Sequence, residues 1–152
     1  MQETDQASLE EIEGDFWGDP PTGATRLIST VHDLRRKPVG LLGVEDLRVL
    51  IAQQVGLPVL VPRALSALER DPLAEGDFYP GDLLVAMRRV PPDHWRAHPD
   101  QRARLLAVAG AADLAEVDEQ TRADIVALRT VLAAVVLIVG VALWTIRSRD
   151  IT

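Results

Sequence analysis

Apolar residues recur every three or four positions along most of this chain, which is the spacing of one face of an α-helix. The clearest example consists of Leu27, Ile28, Val31 and Leu34. Thr25 precedes them as a typical N-cap residue, and the sequence predicts a helix that begins there and ends before a proline at position 38. No window alternates apolar and polar residues with period 2, so the predicted fold class is all-α.

The same period predicts further helices, separated by prolines and glycines, at about 44–55, 60–70, 82–90 and 99–110. Before the first helix, Ser8 and Glu11 form a capping-box pair that predicts a short helix. Residues 71–82, DPLAEGDFYPGD, contain many turn formers and predict a long ordered loop, with its two aromatic residues packed onto the body. Prolines at positions 91, 92 and 99 predict short turns around Trp95.

The C-terminal part of the chain has a different pattern. Residues 130–146, TVLAAVVLIVGVALWTI, contain no charge and no proline and lie between Arg129 and Arg147. As a helix this run spans about 25 Å, somewhat less than the ~30 Å hydrocarbon core, and the flanking arginines can extend their charged groups outward. The run predicts a single C-terminal transmembrane helix, and a buried helix that completes the core is the alternative.

The predicted organisation is a small helical domain followed by this one transmembrane helix. It has five segments: an acidic N-terminal segment with a short helix (1–24), an all-helical domain (25–110), a helical connector (111–129), the membrane anchor (130–146) and a tail (147–152). The N-terminus is acidic, whereas a secretory signal begins with a basic and then an apolar region. We therefore expect the domain to stay in the cytoplasm.

The net charge of −7 is concentrated at the N-terminus, because residues 1–25 contain seven acidic residues and no lysine or arginine, and the rest of the chain is neutral. Such a segment repels nucleic acid and attracts a basic protein surface. A solvated acidic tail without a partner is the alternative interpretation.

The sequence predicts no catalytic residue, no cofactor and no metal site, and hence a protein that is not an enzyme. It has no cysteine, no glycine-rich phosphate loop and no GxSxG motif. His94 and His98 have the four-residue spacing of a helical metal site, but Pro99 disfavours helical geometry at His98.

Aromatic residues framed by acidic ones favour a binding surface, since rings supply buried area and carboxylates pair with basic groups of a partner. Trp17 lies in one acidic loop and Phe78 and Tyr79 in another. Rings that only hold their loops on the core are the alternative. The predicted partner-binding residues are Glu10, Glu11, Glu13 and Asp15 for charge, Trp17 or Tyr79 for filling a pocket, and, as second-tier candidates, Glu75 and Asp77.

Four segments, in their order and spacing, resemble the immunity proteins of contact-dependent growth inhibition (CDI) systems. They are RKP at 36–38, VEDLRVLIAQ at 44–53, GL at 56–57, and DPL at 71–73 running on through EGDFYPGDLL to residue 84. The resemblance covers roughly residues 8–108. Together the KP, EDLR, GL and GDxYxGDLL elements are fairly specific, whereas any one of them alone is weak.

This resemblance implies a small, all-helical cytoplasmic protein that binds the C-terminal toxin domain delivered by a neighbouring cell and blocks its active site. Some relatives are paired with ribonuclease toxins, whose basic face suits an acidic inhibitor, so a nuclease is one candidate partner. The resulting hypothesis is an immunity protein that binds its toxin one-to-one and is tethered to the bacterial inner membrane. The alternative is a tail-anchored adaptor that recruits a basic cytoplasmic protein to that membrane.

Overall fold

A computed structural model of the protein describes the backbone of residues 2–149 and the side chains of residues 4–135. The described helices are α1 (Gln2–Gln6), α2 (Leu9–Glu13), α3 (Arg26–Arg36), α4 (Val44–Ala52), α5 (Leu57–Arg70), α6 (Asp82–Ala86), α7 (Pro92–Ala97), α8 (Pro99–Ala111) and α9 (Glu119–Arg149), with 3₁₀ turns at Val39–Leu41 and Met87–Arg89. Over this described stretch, the only β-type pairing is one isolated bridge between Ser8 and Pro38. The prediction of an all-α fold is confirmed.

Two predicted N-caps are present. The Ser8 hydroxyl accepts a hydrogen bond from the Glu11 N–H at 3.3 Å, and the Glu11 carboxylate accepts one from the Ser8 N–H at 2.7 Å. These are the two bonds of a capping box, and they begin α2. The Thr25 hydroxyl accepts from the Ile28 N–H at 3.3 Å and begins α3.

The core lies around α4, which packs against α3, α5 and α6. Fully buried leucines of α4, α5 and α6, such as Leu50, Leu65 and Leu84, fill its centre. Leu9 of α2 is also fully buried and fixes the N-terminal segment to the body at the turn between α4 and α5. A Cβ atom at Gly56 would lie 2.8 Å from the Leu9 side chain, and φ is +64° there, so this turn requires glycine.

Three predicted boundaries differ from the observed ones. Helix α4 ends at Ala52, three residues early, because Gln54 has a left-handed φ of 58°. Helix α5 begins at Leu57 instead of 60, since a proline fits its first turn, and Pro62 therefore lies inside the helix. The predicted turns around Trp95 are wrong in part, because Pro92 starts α7 and Trp95, 2% exposed, packs into the core.

The segment after α8 is helical only in part. Residues 112–118 form turns and bends, and α9 begins at Glu119. The Asp118 carboxylate accepts hydrogen bonds from the N–H and hydroxyl of Thr121, at 3.0 and 2.6 Å. The predicted helical connector 111–129 is thus interrupted, because these bonds start a new helix instead of continuing α8.

The first half of α9 packs back onto the body. Ile125, Leu128 and Leu132 belong to the hydrophobic core, and Arg129 Nε donates to the Ala109 carbonyl oxygen at 2.8 Å. The core therefore does not end at residue 110, where the sequence predicted the edge of the domain.

Among the residues whose side chains are described, no helix is both long and apolar enough to span a bilayer. Residues 136–146 of the predicted anchor lie outside those residues. Within its first part, Leu132 and Val135 are 0% and 6% exposed.

Candidate functional site

Exposed apolar side chains concentrate in one stretch of the chain. Of the nine large hydrophobic side chains that are exposed among the described residues, five lie between positions 12 and 28. They are Ile12, Phe16, Trp17, Leu27 and Ile28. Scattered exposed apolar residues are ordinary on a protein surface, but such a concentration marks a candidate interaction surface.

A groove of about 230 Å³ lies within this stretch. We call it the N-terminal groove, and it is lined by Trp17, Leu27, Ile28, Val31, His32, Gln53 and Val55. Leu27 and Ile28 are 44% and 43% exposed, although their spacing suggested a core face. They lie in the first turn of α3, whereas Val31 and Leu34, further along the helix, are buried.

Trp17 forms one wall of the N-terminal groove and is 42% exposed. Its Nε1 donates to the Asp15 carboxylate at 2.9 Å. The Arg35 guanidinium lies 4.1 Å from the ring centroid, and the His32 ring meets it edge-on at 5.3 Å. These contacts hold the indole in one orientation while nearly half of it faces solvent.

Arg35 lies beneath the Trp17 ring and is only 1% exposed. Its guanidinium donates to the Glu13 carboxylate and to the Asp15 carbonyl oxygen, each at 2.7 Å. The charge is thereby paired, as a buried arginine requires. Sequence reasoning missed this residue because it followed only the apolar positions of α3, yet Arg35 is four residues after Val31 and lies on the same helix face.

The predicted carboxylates of the N-terminal segment have different environments. Glu10 is 7% exposed, accepts from the Trp17 N–H at 3.4 Å and lies 3.9 Å from Arg36 Nε. Glu11 is exposed, and hydrogen bonds from Ser8 hold the pKa of its carboxyl below the ordinary value. The Asp15 side chain is 64% exposed. Glu10 therefore acts mainly inside the protein, whereas Asp15 faces solvent.

The second predicted region, the loop 71–82, is held by carboxylates that bind its backbone. Asp82, 3% exposed, accepts from the Gly76 and Phe78 N–H groups at 2.7 and 3.2 Å. Glu45 of α4 accepts from the Asp77 N–H at 3.0 Å. The N–H groups of an irregular segment have no regular backbone acceptors. In this loop the carboxylates accept their hydrogen bonds instead.

Arg48 joins these two carboxylates. It binds both oxygens of Glu45 at 2.6 and 2.7 Å, and its Nε lies 3.8 Å from Asp82. The hydrogen bonds from Arg48 lower the pKa of Glu45, and those to Glu45 raise the pKa of Arg48. The guanidinium also lies 4.6 Å from the Phe78 ring centroid. Phe78 is 67% exposed, so the prediction that it packs onto the core is wrong, because it stacks on a surface arginine instead.

The remaining candidates of this loop point outward or are half-buried. Glu75 and Asp77 are exposed, and within the described part of the chain their carboxylates have no hydrogen-bond or ion-pair partner. Tyr79 is half-buried, and burial, followed by the nearby Asp82, raises the pKa of its hydroxyl. No described hydrogen bond or ion pair joins these residues to Trp17 and its neighbours. That any of the predicted residues binds a partner stays a prediction.

Three of the four motif segments singled out in the sequence contact one another in the fold. Lys37 of the KP segment binds the Asp46 carboxylate of the EDLR segment at 2.6 Å, and Asp46 also accepts from the Gly43 N–H at 3.1 Å. The EDLR segment is in turn joined to the GDxYxGDLL segment through the pairing of Arg48 with Asp82. Their spacing in the sequence therefore reflects shared contacts that stabilise the fold.

The model of one protein family, described as CDI immunity proteins, matches residues 11–105. The match runs from α2 into α8 and includes all of the residues that line the N-terminal groove and all of the loop 71–82. No curated protein matches the chain. Because the matched part is more than half of the chain and contains the motif segments that contact one another, the chain belongs to the family of CDI immunity proteins, which neutralise the toxins of contact-dependent growth inhibition.

Proposed function

We propose that this protein neutralises its cognate CDI toxin by binding the toxin domain one-to-one and covering its active face. The contact surface consists of α2, the loop that follows it and the first turn of α3. One observation carries this proposal: a half-exposed tryptophan is held rigid among carboxylates at the N-terminal groove.

Trp17 is suited to be the anchor of such a contact. Tryptophan is enriched among the few residues that carry most of the binding energy of an interface. Its indole is already held by Asp15 and Arg35, so little conformational freedom remains to be lost on binding.

The charge of the same region favours a basic partner. A nuclease toxin must present a basic face to its phosphate-rich substrate, and an acidic inhibitor can cover that face. In the N-terminal segment, Glu11 and Asp15 are exposed and can pair directly with basic groups of the toxin. Glu10 and Glu13 contribute indirectly, by holding Arg36 and Arg35 beside Trp17.

The loop 71–82 supplies a second contact on this proposal. Glu75 and Asp77 are exposed carboxylates, and Tyr79 is a half-buried ring beside them. We rank this region second because its best-ordered carboxylates, Glu45 and Asp82, already bind its own backbone.

Titration of toxin activity tests both the stoichiometry and the surface. The purified full chain is added to the toxin domain encoded beside its gene, and residual toxicity is followed in growth and activity assays. We expect an endpoint at one equivalent. Silencing at far fewer equivalents would contradict occlusion and indicate turnover.

The same titration with Trp17→Ala should show at least about 30-fold weaker inhibition, the effect of losing one interface hot spot. Leu41→Ala is the control, since Leu41 is also an exposed apolar side chain and lies outside both proposed contact regions. Equal inhibition by the wild type and Trp17→Ala would place the contact on another face.

We also propose that residues 130–146 attach the domain to the cytoplasmic side of the inner membrane. The uncharged composition of this run supports the proposal. Leu132 and Val135 are buried on the body, so on this proposal the residues that follow them supply the contact with lipid. Val139→Arg puts a charge in its middle, at a cost of about 3 kcal/mol for insertion, and should move the protein from the membrane to the soluble fraction. Ser148→Arg adds the same charge outside the run and is the control. A wild-type chain found in the soluble fraction would overturn the proposal.

A further inference from the structure

We infer that the N-terminal groove is a specificity pocket, which receives one apolar side chain of the toxin next to a lysine or arginine. Leu27, Ile28 and Val55 would decide by their shape which toxin is accepted. The inference rests on the proposed function, because it names the part of the partner that the proposed surface recognises.

The size of the groove fits a single side chain. Its volume is about 230 Å³. An apolar cavity of about 150 Å³ in another protein holds benzene, so this groove accommodates one large aliphatic or aromatic group. It is too small for a helix, which is about 10 Å wide with its side chains.

The chemistry of the lining favours an apolar occupant. Five of its seven residues are apolar or aromatic, and the polar ones are His32 and Gln53. The Nδ1 of His32 already lies within hydrogen-bond distance of the Gly18 carbonyl oxygen, at 3.1 Å, and its ring contacts Trp17. Gln53 and the second ring nitrogen of His32 are the polar groups that remain in the lining, so a polar side chain would find few partners in the groove.

The edge of the groove requires a positive charge beside that apolar group. Asp15 binds the Trp17 Nε1, which places its carboxylate next to the wall of the groove, and its side chain is 64% exposed. Asp19 follows in the same loop with 93% of its side chain exposed, and its Oδ1 lies 3.2 Å from the Arg36 guanidinium, which leaves its other oxygen for a partner. A lysine or arginine of the partner can therefore pair with these carboxylates while its neighbour fills the groove.

A second copy of this chain is a poor occupant. In a symmetric dimer the same face is used twice, so the carboxylates of Asp15 and Asp19 would approach those of the other copy. Like charges placed opposite each other disfavour such a pairing. The acidic edge thus selects a different, basic protein.

The groove combines a fixed floor with walls that can change. Val31 is 6% exposed and part of the core, so its replacement would destabilise the protein. Leu27 and Ile28 lie in the first turn of α3 with more than 40% of their side chains exposed. Different side chains at these two positions alter the shape of the groove without disturbing the core.

The test compares Leu27→Trp, which fills the groove, with Leu41→Trp, the same substitution at a leucine that is 66% exposed and outside the groove. Binding of the full chain to the toxin domain encoded beside its gene is followed by association and dissociation rates. We expect Leu27→Trp to raise the dissociation rate at least about 30-fold with little change in association, and Leu41→Trp to leave both rates within about twofold.

Three outcomes are decisive. If Leu27→Trp and Leu41→Trp bind alike while Trp17→Ala still loses affinity, the pocket is overturned and the proposed contact surface stands. If Trp17→Ala also binds like the wild type, both ideas fall. Should Leu27→Trp melt more than a few degrees early, Ile28→Ala decides instead, since it only empties the groove: about tenfold weaker binding supports the pocket and unchanged binding overturns it.

Discussion

Trp17 and Phe78 are both exposed rings that stack on an arginine within an acidic loop, at 4.1 Å from Arg35 and 4.6 Å from Arg48. The carboxylates next to Trp17 accept hydrogen bonds from the side chains of arginine and of the tryptophan itself, and from one backbone N–H, that of Trp17. The carboxylates around Phe78 accept, in addition, from three backbone N–H groups of the loop. The first arrangement fixes a ring on a surface, whereas the second fixes the path of the chain.

The residues of the motif segments belong mainly to the second arrangement, which fixes the path of the chain. They supply Lys37, Asp46, Glu45, Arg48 and Asp82, which bind one another or the loop backbone. Trp17 and Leu27 lie outside all four segments. Immunity proteins must distinguish between toxins, so we expect the features that identify the family to serve its fold and the discriminating contacts to come from elsewhere.

The largest effect on stability is expected from Asp82→Ala. The substitution leaves the Gly76 and Phe78 N–H groups without their acceptor and removes a charge from beside Arg48, at a cost of about 3 kcal/mol in the free energy of unfolding. Urea denaturation measures this cost. Asp77→Ala, which removes an exposed carboxylate from the same loop, should change stability by less than about 0.5 kcal/mol. A small effect of Asp82→Ala would show that the loop keeps its path without this residue.

Gly76→Ala should cost about 2 kcal/mol, since the added Cβ would overlap a Glu45 carboxylate oxygen and lie 3.0 and 3.2 Å from those of Asp82. Gly110→Ala is the matched control, because its Cβ would enter open space near the end of α8, and it should be neutral or slightly stabilising. Thermal unfolding of the two variants gives the comparison. Equal melting temperatures would mean that the Glu45 and Asp82 side chains can move aside.

Arg35→Gln tests the loop that contains Trp17. Here we expect the larger effect on toxin affinity and the smaller one on stability. We expect a loss of about 1–2 kcal/mol in stability, since Glu13 loses its partner but stays partly solvated. Toxin affinity should fall further than stability does, because Trp17 loses the group it stacks on. Arg104→Gln, which breaks an exposed pair with Glu69, is the control for losing an arginine. Should affinity remain unchanged, the order of the indole would not matter for binding.

Stability in acid should depend on Glu45. Its pKa is lowered in the folded protein, first by the hydrogen bonds from Arg48. The carboxylate's contribution is therefore complete above the pKa of the unfolded chain and is lost as the pH falls through the lower, folded-state pKa. Denaturation at a series of acidic pH values should give a flatter profile for Glu45→Gln than for the wild type. Glu75→Gln, at an exposed carboxylate of the loop that Glu45 binds, controls for the loss of one charge.

The helices were predictable because their signals are local. The caps at Ser8 and Thr25 and the apolar period of α3 and α4 are visible in short windows of sequence. The turns predicted around Trp95 failed because a proline begins a helix as readily as it ends one. That α9 packs onto α8 depends on contacts between distant residues, which periodicity alone does not reveal.

The candidate site was predictable in its residue types but not in its geometry. The sequence shows that Trp17 lies among acidic residues, but not that Glu10 is buried or that Arg35 lies beneath the ring. Leu27 and Ile28 follow a core-like period, and only the position of α3 on the body leaves them exposed. The period identifies a helix face, and packing decides how much of that face is covered.

The smallest expected effect distinguishes the two loops by charge alone. Asp19→Lys and Asp77→Lys make the same change of two charge units at exposed positions, one beside the N-terminal groove and one in the loop 71–82. If the toxin approaches the N-terminal groove, Asp19→Lys should slow association a few-fold at low salt, and the difference should shrink as salt screens the charges. Asp77→Lys should slow it less, because the loop 71–82 is only the second contact on this proposal. Stopped-flow association at two salt concentrations gives both rates. Equal slowing would mean that only net charge guides the encounter. A larger effect of Asp77→Lys would instead move the main contact to the loop 71–82. Phe78, and not Trp17, would then be the anchoring ring.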